Sequence, residues 1–136
     1  MSYALASGLQ EAVFTRLSGD AAVAALTEGK IFDAPPTGHP PPTYVALGPE
    51  RVRDRSDKGG AGAVHDFTVS VVTTAAGFRA AKEIAGALCD ALSGPVPEMS
   101  RGYVVALNFR RARARRDEAG QLRRIDLEFR AFVQDD

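Results

Sequence analysis

His39 and His65 are the only histidines of this 136-residue chain, and Cys89 is its one cysteine. A zinc site draws its ligands from Cys, His and carboxylates at short, recurring spacings. His39 lies among prolines and His65 in an alternating apolar run, with no second His or Cys close to either. No metal and no cofactor is expected. The neighbours His65 and Asp66 point to opposite faces of a strand, which makes them a poor base and orienting carboxylate. Gly59-Gly60-Ala61-Gly62 is followed by a strand, without the Lys-Ser/Thr and helix of a phosphate loop. Asp126 and Glu128 share a strand face, and Arg110 is their expected cross-strand neighbour; paired charges on a solvated face account for them. A lone cysteine makes no intrachain disulfide, and Cys89 within AGALCDAL reads as a small buried thiol. No catalytic constellation emerges, and an enzyme is not expected.

What remains is arginine. Between positions 101 and 124 stand eight arginines (Arg101, Arg110, Arg111, Arg113, Arg115, Arg116, Arg123, Arg124) against Asp117 and Glu118, in a chain whose 17 basic and 17 acidic residues balance. Three readings fit. The arginines could be a solvated edge that discourages strand-to-strand aggregation. Their planar forks could grip acidic patches on adjacent subunits. They could meet DNA phosphates, as in a small DNA-binding protein using this hairpin. A zero net charge is unusual for a simple nucleic-acid or membrane binder, and neither a groove-reading helix nor stacking aromatics stand out. A second charged group, Arg51, Arg53, Asp54, Arg55 and Lys58, falls in Pro49 to Ala63, which reads as a long polar loop. Such a loop is either solvated and mobile or a segment that orders on a partner.

The elements that must position these groups follow from periodicity. Leu5, Leu9, Val13 and Leu17 predict an amphipathic helix over Ser2 to Leu17, capped by Ser2 and ended by Ser18-Gly19. Asp20 caps a short helical piece that stops near Gly29. Lys30 to Asp33 and Thr43 to Leu47 are short strands. Between Pro35 and Pro49 there are six prolines, which fix φ, remove donors and hold the two strands apart on an extended linker. Val64 to Thr74 alternates cleanly, with His65, Phe67, Val69, Val71 and Thr73 on one face. Gly77 to Leu92 is a second amphipathic helix, burying Phe78, Ala81, Ile84, Ala85, Leu88 and Leu92.

Gly102 to Arg116 and Gln121 to Gln134 predict a long hairpin joined by Asp117-Glu118-Ala119-Gly120. Phe109 opposes Leu127 or Phe129, and a four-residue loop requires a β-bulge to restore the phase. The apolar phase of the first strand continues as Arg111, Arg113 and Arg115 and returns through Arg123. Four unpaired arginines cannot occupy a dry core, so the hairpin is expected to leave the domain body beyond Phe109 or to turn that face to solvent. The expected fold is one α+β domain over residues 1–136: a mainly antiparallel, four- to five-stranded sheet, two helices on one face, and a long C-terminal β-hairpin. The N-terminus lacks a basic, apolar leader, and no run approaches a bilayer-spanning length. Synthesis in the cytoplasm, or use in a particle assembled there, is expected.

Taken in order, LASGLQEAVFTRL, KIFDAPP, PPTYVALGPE, HDFTVSVVT, GFRAAKEIAGALCDAL and FRRARARRDEAGQLRRIDLEFRAFV resemble the bacteriophage tail completion and tail terminator family, including the version carried by gene transfer agents. The resemblance covers nearly the whole chain, and PTYVALG with HDFTVSV downstream is its most specific pair. It implies a homohexameric ring on the last disc of a tail tube. The partners it implies are the chain itself, the tail tube protein and a head-side stopper. It further implies that DNA passes through the lumen without sequence-specific binding and that no membrane is involved. The Arg110 to Arg124 hairpin and the Arg51 to Gly62 segment are the expected contact surfaces.

Overall fold

The repeat Leu5, Leu9, Val13, Leu17 folds as α1 (Ala6–Ser18) in the computed structural model of the chain, which describes residues 2–117 and 119–136. The helix begins later than its periodicity suggests. Ser2 Oγ accepts from the Ala4 amide within a preceding turn, so α1 starts after Leu5 with no side-chain cap. Asp20 does cap α2 (Ala21–Thr27), accepting from Val23 N at 3.0 Å. α2 ends where Glu28 and Gly29 turn left-handed.

Five strands form one mixed sheet in the order β1-β2-β3-β5-β4. β1 (Ile31–Phe32) lies parallel to β2 (Thr43–Asp54), with Ile31 beside Val45. The proline linker thus returns the chain to a directly hydrogen-bonded neighbour, a parallel connection made without a helix. β3 (Gly62–Thr73) is the central strand, antiparallel to β2 and to β5 (Arg123–Gln134), and β4 (Tyr103–Arg116) closes the opposite edge. α3 (Arg79–Ser93) lies between β3 and β4 in sequence.

The expected alternation of β3 holds. His65, Phe67, Val69, Val71 and Thr73 are buried and face Ala131, Phe129, Leu127, Ile125 and Arg123 of β5. Leu5 at the N-cap of α1, Leu9, Val13 and Leu17 within it, Val23 of α2 and Ile84, Leu88 and Leu92 of α3 complete one core with that face. Phe129 sits at its centre, stacked on Phe67 at 5.7 Å and edge-on to Phe109 at 5.9 Å. Cys89 is half-buried rather than buried, and desolvation raises its thiol pKa.

Two expectations are corrected. The polar loop is shorter than its composition suggests: β2 runs on through Pro49 to Asp54, and only residues 55–61 connect it to β3. Pro49 fits because the ladder shifts between Leu47 and Glu50; a bulge is where a strand tolerates a missing donor. The hairpin does turn its outer strand to solvent, with Asn108 to Arg116 exposed, but its phase differs from the expected one. Phe109 pairs with Phe129, but Arg111 pairs with Glu128, so a bulge at Arg110 shifts the register. Beyond it Ala112 and Ala114 oppose Leu127 and Ile125, while Arg111, Arg113 and Arg115 oppose Glu128, Asp126 and Arg124. Arg111, Arg113 and Arg115 stay out of the apolar phase, whereas Arg123, opposite Thr73, lies in it as expected. The strands end at Arg116 and start again at Arg123; of the expected joining residues, Glu118 lies outside the described residues.

Candidate functional site

Alternation sends every second side chain of the sheet away from the helices. On that far face stand Arg51 and Arg53 of β2, Asp66 of β3, Arg124, Asp126, Glu128 and Arg130 of β5, and Arg111, Arg113 and Arg115 of β4. Arg110 joins them at the bulge, lining a depression with Arg51, Asp66, Arg111, Glu128 and Arg130.

The carboxylates are all engaged. Arg130 donates to both oxygens of Asp66, Nε to Oδ1 at 2.7 Å and Nη2 to Oδ2 at 3.3 Å. That hydrogen bond, outweighing burial, holds the Asp66 carboxyl below its usual range, and the fields of Arg53 and Arg110 push the same way. Arg111 grips Glu128, which raises the arginine's own pKa. Asp126 accepts from Ser70 Oγ at 2.6 Å and pairs with Arg115 at 3.5 Å and Arg124 at 3.4 Å. The neighbour expected for Asp126 and Glu128 was Arg110; the bulge gives that place to Arg111, Arg113 and Arg115 instead. The side chains of Arg51, Arg53, Arg110 and Arg113 carry no hydrogen bond or ion pair among the described residues. The face therefore has a surplus of guanidinium groups.

The other named residues separate from this group. Arg123 is anchored to the body, donating to Ala75 O at 3.0 Å and lying 5.6 Å from the Phe78 ring centroid. Arg116 is exposed at the end of β4 and lies against Gly120. Arg55 covers the Phe132 ring at 5.0 Å. Asp54 accepts from Ser56 Oγ at 2.7 Å, and Lys58 is exposed between Asp57 and Gly60, which bridge the short connection.

Arg130 and Asp66 escaped sequence reasoning because nothing local links residues that far apart. A second polar group was missed as well. Tyr3 donates to Glu50, whose Oε2 stands 3.5 Å from Nδ1 of fully buried His65. His65 Nε2 has no partner among the described residues. An open cavity of about 460 Å³ lies beside this group, lined by Tyr3, Gln10, Glu11, Asp33 and Glu50 among others. Among the described residues no group of three or more His, Cys, Asp or Glu could hold a metal ion, and no helix is long and apolar enough to cross a membrane.

Comparison with protein families matches residues 11–134 to the family described as "Tail completion protein gp17". Among solved structures, the chain is 56% identical to a chain of the virion of a native gene transfer agent particle, with a TM-score of 0.91. The match covers 98% of this chain and 99% of that one. Comparison with curated proteins finds no match.

Proposed function

The chain belongs to the tail completion protein gp17 family, and from that membership we propose that it is a structural part of a phage-like particle, a tail terminator that caps the tail tube. The observation that carries this reading is the end-to-end likeness to a gene transfer agent virion chain. In the proposed mechanism six copies close into a ring on the last tube disc. The ring occupies the position of the next disc, and so stops growth by geometry alone. Its other face receives the head-side stopper, and DNA passes through the lumen. The particle is assembled in the bacterial cytoplasm.

The fold supplies surfaces suited to such a ring. A closed ring of identical subunits needs head-to-tail contacts between two different patches. β1 and β4 stand at opposite edges of the sheet, so one copy offers neighbours two unlike sides. β4 is long, and Tyr103, Val105 and Phe109 along it are exposed. No catalytic role enters this reading, since stacking and capping require shape and charge rather than bond chemistry.

Imaging the purified chain with and without tail tubes tests the proposal. Six-membered rings seated on tube ends are expected. Particles lacking the chain that still carry tails of normal length joined to full heads would refute it. Replacing Arg111, Arg113 and Arg115 with alanine is expected to weaken ring formation or joining while sparing the fold, because exposed ion pairs contribute little to stability.

A further inference from the structure

We infer that the helix-free face of the sheet carries an oxyanion site centred on Arg51 and Arg110, which takes the phosphate group of a nucleic-acid backbone or of free phosphate. An imbalance of charge marks the place. Arg51, Arg110, Arg111 and Arg130 surround a depression of about 220 Å³ together with only Asp66 and Glu128. Asp66 is held by Arg130 and Glu128 by Arg111. Two guanidinium groups, those of Arg51 and Arg110, therefore share the depression with no hydrogen bond or ion pair of their own among the described residues.

The bulge creates this surplus. In a regular ladder one β4 side chain opposes Glu128. Here Arg110 is the extra residue beside Arg111, so the site holds one guanidinium more than Glu128 can neutralise. Bulges re-aim side chains in this way, and they recur next to functional sites. Arg51 approaches from the other side of Asp66, its register partner on β3. The two ion pairs fix the floor, while the remaining arginines repel each other until an anion lies between them. A phosphate, with several acceptor oxygens, suits the planar forks that converge there. Arg113 and Arg53 continue the positive surface on either side without hydrogen bonds or ion pairs among the described residues, so a polymer of phosphates meets more of this face than a single ion does.

The test uses the whole chain and does not depend on ring formation. The Nε–Hε resonances of Arg51 and Arg110 are followed in ¹⁵N-labelled protein during titration with sodium phosphate, with a short mixed-sequence DNA duplex, and with poly-glutamate, at matched ionic strength. Both resonances are expected to shift with phosphate and with the duplex. Tighter binding of the duplex at equal phosphate concentration identifies the backbone as the source; equal binding identifies free phosphate. Arg51→Gln or Arg110→Gln should weaken binding about tenfold, as for loss of a charged hydrogen bond. Each should also lower the salt slope of duplex binding by about 0.9, whereas Lys82→Gln on α3 should change neither. Resonances that move with neither phosphate nor duplex, or only with poly-glutamate, overturn the inference. If a variant fails to fold, the wild-type titration still separates these outcomes.

Discussion

Asp66 on β3 and Arg130 on β5 are direct cross-strand partners, joined through both carboxylate oxygens at 2.7 and 3.3 Å. They clamp the charged face immediately beside the Phe67–Phe129 stack on the other face. The pair lies where the central strand meets the hairpin, so it ties the arginine-bearing element to the body.

The Asp66 pKa is lowered, chiefly by the hydrogen bond from Arg130. A carboxylate depressed on folding adds stability above its unfolded pKa, near 3.9, and loses that contribution as pH falls through the depressed value. Asp66→Asn is therefore expected to lower the melting temperature at pH 7. The deficit relative to the parent should shrink progressively as pH falls below the unfolded value and through the depressed one. An equal deficit throughout would contradict the assignment.

Gly102 has φ +67°, and a Cβ there would stand 2.6 Å from Gln134 O and 2.9 Å from Leu5 Cδ1. Strain and a backbone clash act together. Gly102→Ala should cost about 1–3 kcal/mol in urea unfolding. A neutral result would mean that the start of β4 relaxes away from the chain's final strand.

Arginines of similar appearance should behave differently. Arg123 binds Ala75 O and the Phe78 ring at the start of α3, so Arg123→Ala should cost about 1 kcal/mol. Arg113 has no such attachment among the described residues, and Arg113→Ala should leave unfolding unchanged. Reversal of that order would place the hairpin's anchor elsewhere.

Deleting Arg110 removes the extra bulge residue while leaving Phe109 opposite Phe129 and Arg111 opposite Glu128. The alternation stays correct, and the melting temperature should change little. Deleting Ala114 instead moves Arg115 opposite Ile125, a buried position on β5. That variant should be the less stable of the two, modestly so, since it takes Arg115 off Asp126 and inverts the alternation, while exposed position 114 still lets the guanidinium reach water. Circular dichroism melts of the two deletions measure the contrast.

Periodicity was enough for the helical stripes, the Asp20 cap, the alternation of β3 and the long hairpin, because each is a local property of neighbouring residues. It also showed that an arginine run cannot share an apolar face, and so posed the question that the bulge at Arg110 answers. The shape of the answer needed the fold. β2 continues through Pro49 because a shift against β3 accommodates the proline. Asp66 meets Arg130, and Arg123 reaches Phe78, only once strands and helix distant in sequence are packed together. Composition could show that arginines were abundant. Which of them are paired, anchored or left facing a shared depression was decided by cross-strand register, a relationship between chain segments rather than within one.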